Sequence, residues 1–568
     1  MAVGYGALRN NSYSDEYVYE AEKNTAIGYE ALLENTKGYR NTATGYHAMY
    51  SNISGYHNSS YGYESMYSNE TGYWNCALGN SSLYSNTSGR ASTAVGYSSM
   101  NDNTEGKYNS AVGYKVLEQN TTGEYNTAFG AEALTNNLTH SKLVAVGYRA
   151  LFNNGKDVEN DDFSVKNTAV GFKALYSNTS GYNNTSLGYE SLYSNNLGTN
   201  NTAIGYNALY DNDEGDFNTV IGSGALEQNT TGSYNTAIGK DALVLNKIHS
   251  ELVAVGYNAL RNNGFGVIDN YKAICNTALG FESMKSNISG YNNTGTGYKV
   301  LYNNESGYSN TGYGYKALYK ITTGSRNTSV GFESMYNDTS GIYNTAVGWR
   351  AGENSKASNY SVFIGSSANT NITESVNNSM AIGNSAKVDD NNQIRIGNTS
   401  VSSIGGQVDW TTLSDERFKV NVQENISGLE FITKLRPVTY NLDIDGQNNA
   451  FNIPDSMLND SRIQDGINKQ KQIVYSGFLA QEVEKTAQSL GFQFSGVDSP
   501  NNKHGMYGLR YATFVVPLVK AVQEQQDIID EQNLKIRELE KQIIMIEVQN
   551  KKIEELEEKM IKLKELLK

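Results

Sequence analysis

Proline is nearly missing from this sequence. Its 568 residues include four, Pro437, Pro454, Pro500 and Pro517, so everything before residue 437 keeps its backbone N–H donors, as a long unbroken hydrogen-bond ladder requires. Cysteine is as scarce: Cys76 and Cys275 stand 199 residues apart and support no disulfide framework. The five histidines are scattered, so neither a metal site nor a cofactor is expected. No run approaches about 18 apolar residues, so no membrane insertion is expected. The start, MAVGYGALRNN, has neither the basic segment nor the apolar run of a signal peptide, and the chain reads as a non-secretory product of a reducing compartment. A net charge of −14 lacks the cationic surface that nucleic acid demands, so no nucleic-acid partner is expected. With 38% hydrophobic residues and three tryptophans, much of the chain cannot enclose a thick core.

What abounds is glycine, 55 residues, and tyrosine, 42. Both recur on a fixed period. The glycine after TA[VI] falls at Gly28, Gly45, Gly62, Gly79 and onward to Gly147, always 17 apart, and resumes at Gly171 and Gly280 after steps of 24. Gly4 to Gly28 is a third step of 24, and Gly383 to Gly397 is a step of 14. A second glycine (Gly38, Gly55, Gly72, Gly89) follows ten residues after the first. The unit, roughly N-T-A-[VI]-G-Y-x-A-L-x-x-N-x-[ST]-G-x-x, is too short for a helical hairpin, and its Asn, Gly and Thr are poor helix formers. Short strands turned by Gly and Asn, which tolerate the left-handed conformation, fit it better. Such a period predicts a β-solenoid whose coils offer small or medium apolar residues, such as Ala26, Ile27, Ala31 and Leu32. About 22 rungs at ~4.8 Å make a rod on the order of 100 Å long. Coils this thin gain stability if three chains bundle and bury a second face.

Several columns invite other readings. Tyr29, Tyr46, Tyr63 and Tyr97 predict a stacked structural ladder rather than a sugar platform. The threonine column (Thr25, Thr42, Thr93, Thr127) is broken by Cys76 and Val144, which argues against an ice-binding face. Triplets such as Asn120-Thr121-Thr122 match glycosylation sequons but read as repeat consensus. His140 and His249, 109 residues apart and each ahead of a 24-residue coil, mark a duplicated block. The repeat, about residues 1–400, resembles the head of trimeric autotransporter adhesins, which implies a trimeric parallel β-roll; those heads favour coils shorter than 17 residues.

From Val401 the repeat ends. SGLEFITKLRPVTYNLD places Leu429, Ile432 and Leu435 at helical spacing, and Pro437 then breaks into an extended VTYNL. YSGFLAQEVEKTAQSLGF reads as a strand entering a helix, while the polar stretch Asp443–Lys471 reads as an insertion loop. From Leu518 a 3-4 spacing runs through Val522, Gln525, Ile529, Gln532, Ile536, Leu539, Ile543, Ile546, Asn550 and Ile553, then slips by three and reaches Leu567. Dense Glu and Lys flank this seam, and its polar members fix register, so it predicts a coiled coil.

Four blocks, LSDERFKVNV, GLEFITKLRPVTYN, GFLAQEVEK and YATFVVPLVKAVQEQ, together resemble the endosialidase-type C-terminal intramolecular chaperone, over about Asp409–Gln526. That domain trimerises phage tail spikes and fibres and then cuts itself off. Carried onto this chain, the resemblance implies Ser414 as nucleophile, Lys419 as general base, Asp415 and Arg417 as the supporting motif, and cleavage between Leu413 and Ser414. An ordinary lysine, with a pKa of about 10.4, is a poor base at neutral pH; closing the gap costs roughly 4 kcal/mol, which burial can impose. Burial needs a folded and assembled domain, so the cut is expected to be gated by assembly.

These readings predict a mainly β chain: a solenoid shaft over 1–400, a connector over 401–413, an α+β self-cleaving chaperone over 414–517 and a trimeric coiled coil over 518–568. The expected protein is a homotrimeric tail fibre of a phage-like virion, assembled in the host cytoplasm and attaching to a host-surface receptor, a glycan or a protein. Apart from one self-cleavage by a serine endopeptidase, no turnover is expected. One alternative is a cellular adhesin with the same modules. Another is a glycan-degrading tail spike, which needs paired carboxylates in a groove; the repeats hold no distinctive acidic cluster outside insertions such as Asp157–Asp162.

Overall fold

In a computed structural model the chain is described at every residue except 12–20, 157, 159–161, 373, 409, 454–457, 459–460, 501 and 503–504. It divides into two units, Met1–Ile396 and Gly397–Lys568. Of the acidic insertion Asp157–Asp162, residues 157 and 159–161 lie outside the described set, as does Asp409.

The first unit is a parallel β-solenoid in which 23 short strands, one per coil, form a single sheet. Thr25 pairs with Thr42 and Thr42 with Ser59, an offset of 17. The offset is 24 at Ala2↔Ala26, Val144↔Thr168 and Val253↔Thr277, and 14 at Met380↔Ile394. Each glycine interval in the sequence is therefore a pairing offset. Side chains alternate faces along a strand, so the middle residue points inward and its neighbours outward. Ala26, Ala43 and Ala77 are fully buried, joined by Ala31 and Leu32 from the turn. Ile27 departs from expectation: it is an outward residue, 36% exposed, rather than part of the core.

Two asparagine columns line the rest of the interior. The Asn52 amide donates to Asn35 Oδ1 at 2.6 Å and to the Gly55 carbonyl at 3.1 Å, and Asn69 repeats the pattern one rung on. In the other column Asn41 Oδ1 accepts from the Asn58 N–H at 2.9 Å, and Asn58 Nδ2 reaches the Gly72 carbonyl at 2.7 Å. Interior amides so satisfied do not incur the cost of a buried unpaired polar group. Gly55 is needed for closeness, since a Cβ there would overlap the Gly72 carbonyl, whereas Gly45 adopts φ 145°. The turns depart from expectation as well: Glu30, Leu32 and Arg40 take φ of 51–54° without being Gly or Asn. The unfavourable left-handed backbone, roughly 1–2 kcal/mol per residue, is offset by inter-rung bonds such as Leu32 N–H to Ala48 O at 3.0 Å.

Near its C-terminal end one ladder changes residues. The column that holds Asn287 and Asn304 continues with Ile321, Asp338 and Ser355. Asp338 is fully buried, and burial pushes its carboxyl up to about 7.

The second unit is α+β. A short helix, Leu429–Lys434, precedes the strand Val438–Tyr440, which pairs antiparallel with Tyr475–Gly477 ahead of the helix Ala480–Ser489. Its small core is aromatic: Phe431 and Phe514 are buried with Val483 and Ala487, against Phe478, Phe492 and Phe494. Asp443–Lys471, read from its polarity as a loop, contains the helix Ile444–Ala450 and most of a second, Ser461–Gln472. The first begins because the Asp443 carboxylate accepts from the Gly446 N–H at 2.9 Å, and it buries Ile444 and Asn448. The terminal helix Val515–Leu566 runs 52 residues, with Pro517 in its first turn, where a missing N–H costs nothing. Within one chain its seam is uncovered; Ile536, Leu539, Ile543 and Ile553 are all exposed.

Candidate functional site

Between the end of the shaft and Leu429 the chain forms one tight 3-10 turn, Glu416–Phe418. Asp415 sets it. Its carboxylate accepts from the Arg417 N–H at 2.9 Å and grips the guanidinium, Nε to Oδ1 at 3.0 Å and Nη2 to Oδ2 at 2.6 Å. The same guanidinium holds the Asp415 carboxyl below the usual carboxylate range. Because the turn reverses the chain, residues five apart meet: Lys419 Nζ donates to Ser414 Oγ at 2.8 Å. A hydroxyl and an amine at that distance are within proton-transfer reach. Leu413, which carries the adjacent carbonyl, is 81% exposed, and Ser414 and Lys419 are exposed too.

The surroundings of this turn were not anticipated from the sequence. Trp410, Phe418, Val420 and Val422 are all exposed, an apolar stretch without cover in the single chain. The alternation Phe418, Val420, Val422 is the signal that marks it, one face of an extended segment. A neighbouring groove of about 500 Å³ is lined by Gln423, Ile426, Val515, Val516, Val519 and Lys520. The Leu429 N–H donates to Glu524 Oε2 at 2.6 Å, which ties the short helix to the terminal one.

On the shaft, Asn120 is buried, its amide donating to Asn103 Oδ1 at 2.9 Å and the Gly123 carbonyl at 3.2 Å. That sequon is part of the ladder and out of reach of glycosylation in the folded shaft. The tyrosines stack as expected: Tyr29–Tyr46 and Tyr46–Tyr63 have centroids 5.2 and 5.1 Å apart and planes within 11° and 6°. Rings stacked face to face along the shaft present edges, not faces, to solvent. An open groove of about 640 Å³ gathers Tyr210, Asp211, Asp213, Glu227 and Lys247 from successive coils, and burial pushes the Asp211 carboxyl up. Among the described residues no group of three or more His, Cys, Asp or Glu is placed to hold a metal ion. Nor is any helix long and apolar enough to cross a membrane.

A β-solenoid shaft joined to a separate α+β unit defines a fibrous protein with a C-terminal accessory module. Residues 414–492 of that module match the peptidase S74 family, chaperone of endosialidase, and the match begins at Ser414 itself. The second unit therefore carries an endosialidase-type chaperone domain, from a family that points to a self-cleaving peptidase. No curated protein matches the chain. The two modules together fit a phage tail fibre or tail spike.

Proposed function

We propose that this chain is a homotrimeric tail-fibre protein for host attachment, a virion component whose C-terminal domain drives assembly in the host cytoplasm and then releases itself. In this reading residues 1–400 are the shaft, 401–413 a connector, 414–517 the chaperone and 518–568 a trimeric coiled coil. One observation carries it: the family match starts at the residue whose hydroxyl lies 2.8 Å from Lys419 Nζ. Lys419, as the neutral amine, takes the Ser414 proton while Oγ attacks the Leu413 carbonyl carbon. The tetrahedral intermediate then collapses, the peptide C–N bond breaks and the proton passes to the departing Ser414 amine. Water hydrolyses the resulting ester, freeing the Leu413 carboxylate and restoring the hydroxyl. Asp415 and Arg417 hold the turn that aligns the pair. Covering this turn with neighbouring copies would strip water from Lys419, which favours the neutral amine and makes cleavage follow assembly.

The physical need is clear. Parallel pairing across a long repeat is slow, and slipping by one coil costs little, so an aligning coiled coil removes both problems. Loss of that clamp by cleavage leaves a kinetically trapped fibre. Expressed wild-type chain should yield fragments 1–413 and 414–568 on a denaturing gel, while Ser414→Ala and Lys419→Ala give one uncut band that still sediments as a trimer. Normal processing of Ser414→Ala overturns the assignment, and a monomeric shaft overturns the assembly. The glycan-degrading alternative has the Asp211–Glu227 groove in its favour; release of sugar from a host polysaccharide, lost in Asp211→Asn, is its test.

A further inference from the structure

We infer that the three shafts associate through one face of the solenoid, the outward side of the T-x-[VI]-G-[YF] strand, turned toward a common axis. This rests on the trimeric reading above and adds which surface the copies share. None of the 23 strands of the sheet places a charged residue at an outward position. Ile27, Leu78, Phe129, Leu187, Ile221 and Ile364, the third residues of their strands, are all exposed. The stacked tyrosines border this strip, and apart from Lys240, which takes a tyrosine's place, charge begins one residue further along. There Glu30, His47 and Glu64 form a ladder at 3.1 and 3.9 Å, and Glu132 meets Arg149, and Glu333 Arg350, across rungs. The lengthened coils leave the strip unbroken, since Val146 still pairs with Val170 and Val255 with Leu279 across the 24-residue steps. The interior asparagine column crosses the same steps, Asn178 to Asn154 and Asn287 to Asn263, so the extra residues interrupt neither.

The strip is large enough to hold copies together. A three-residue strand is about 10 Å wide, and 22 steps of ~4.8 Å run about 106 Å, giving roughly 1,000 Å² per copy. Stable interfaces bury about 800 Å² per partner, and exposed apolar patches above a few hundred Å² mark interaction sites. A second copy is the occupant these features select. An identical parallel chain repeats the rung spacing along the whole length, which no unrelated globular partner does. The same chain also carries the uncovered seam Ile536, Ile543 and Ile553, which needs parallel copies in register. Wider residues on the strip, Tyr61, Phe129 and Tyr313, then meet their own mates at the axis and oppose slippage by one rung.

The test uses full-length chain in a Cys76→Ser, Cys275→Ser background. Leu187→Cys or Leu279→Cys, both on the strip, should give a disulfide-linked dimer of the shaft on non-reducing denaturing gels. Thr122→Cys, exposed and off the strip, should give none. Sedimentation of the same samples separates the two inferences. A trimeric shaft that cross-links through Thr122 and not through Leu187 or Leu279 overturns the face and leaves assembly standing; a monomeric shaft sinks assembly and the face with it. As a second variant, Leu187→Asp with Ile221→Asp should dissociate the cleaved shaft while fragment 414–568 stays trimeric. A shaft that remains trimeric with both aspartates in place overturns the inference.

Discussion

Asp338→Asn should stabilise the shaft at neutral pH and much less in acid. Asp338 stands in a column that holds asparagine at Asn287 and Asn304. Its Oδ1 accepts from the Gly341 N–H at 2.7 Å and the Ser340 N–H at 3.2 Å, while Oδ2 is buried without a hydrogen-bond partner. Burial raises the carboxyl from 3.8 to about 7. Between those values the unfolded chain releases a proton that the folded shaft keeps, so stability falls as pH rises through the window. Below it both states are protonated, and above it both are ionised. A gap of about three pH units corresponds to at most about 4 kcal/mol above pH 7. Asparagine carries no such charge, and its amide gains the donor role that Asn304 plays toward the Gly307 carbonyl at 3.0 Å, which adds about 1 kcal/mol. The assay is amide hydrogen exchange at Ser340 and Gly341, which reads local opening at the site itself. Comparing variant and wild type at one pH cancels intrinsic rates. Protection should rise about 1,000-fold or more at pH 8 and no more than about 30-fold at pH 4.5. Equal protection at pH 8, or a larger gain at pH 4.5, refutes the reasoning.

Replacing Ile536, Leu539 and Ile543 with Asp puts charge into the helix seam, at a cost of several kcal/mol of association; cleavage should stop although no residue of the Ser414 turn is touched, and wild-type cutting on a gel would show that the pair acts before assembly. Gly264 has φ 69° and faces His249, whose ring a Cβ there would overlap. Gly264→Ala should therefore lower the thermal midpoint of the released shaft by about 1–3 kcal/mol of stability, and His249→Gly in the same chain should restore part of it by vacating the space. An unchanged midpoint in the single variant would mean the insertion coil relaxes freely.

In a solenoid the rung spacing is a sequence interval, so pairing offsets of 17, 24 and 14 were legible before any coordinates. The absence of proline from the repeats, the helix at Leu429–Lys434, the break at Pro437 and the long terminal helix were legible for the same reason: each rests on local chemistry. Ser414 and Lys419 were picked out only by the family resemblance, since such a pair five residues apart is weak by itself; the turn that Asp415 and Arg417 make between them was seen only in the structure. Direction was not legible. Ile27 faces out and Ala26 in, Asn120 lies inside the shaft, and Leu32 takes a left-handed backbone, because closing a coil of fixed length decides those orientations collectively. Polarity hid the helix Ile444–Ala450, whose stability comes from burying Ile444 and Asn448 against the fold rather than from its own periodicity. The groove at Asp211, Asp213 and Glu227 and the uncharged face of the sheet are made by residues a whole coil apart. Local chemistry wrote the period; which side chains share a surface was decided when the coils stacked.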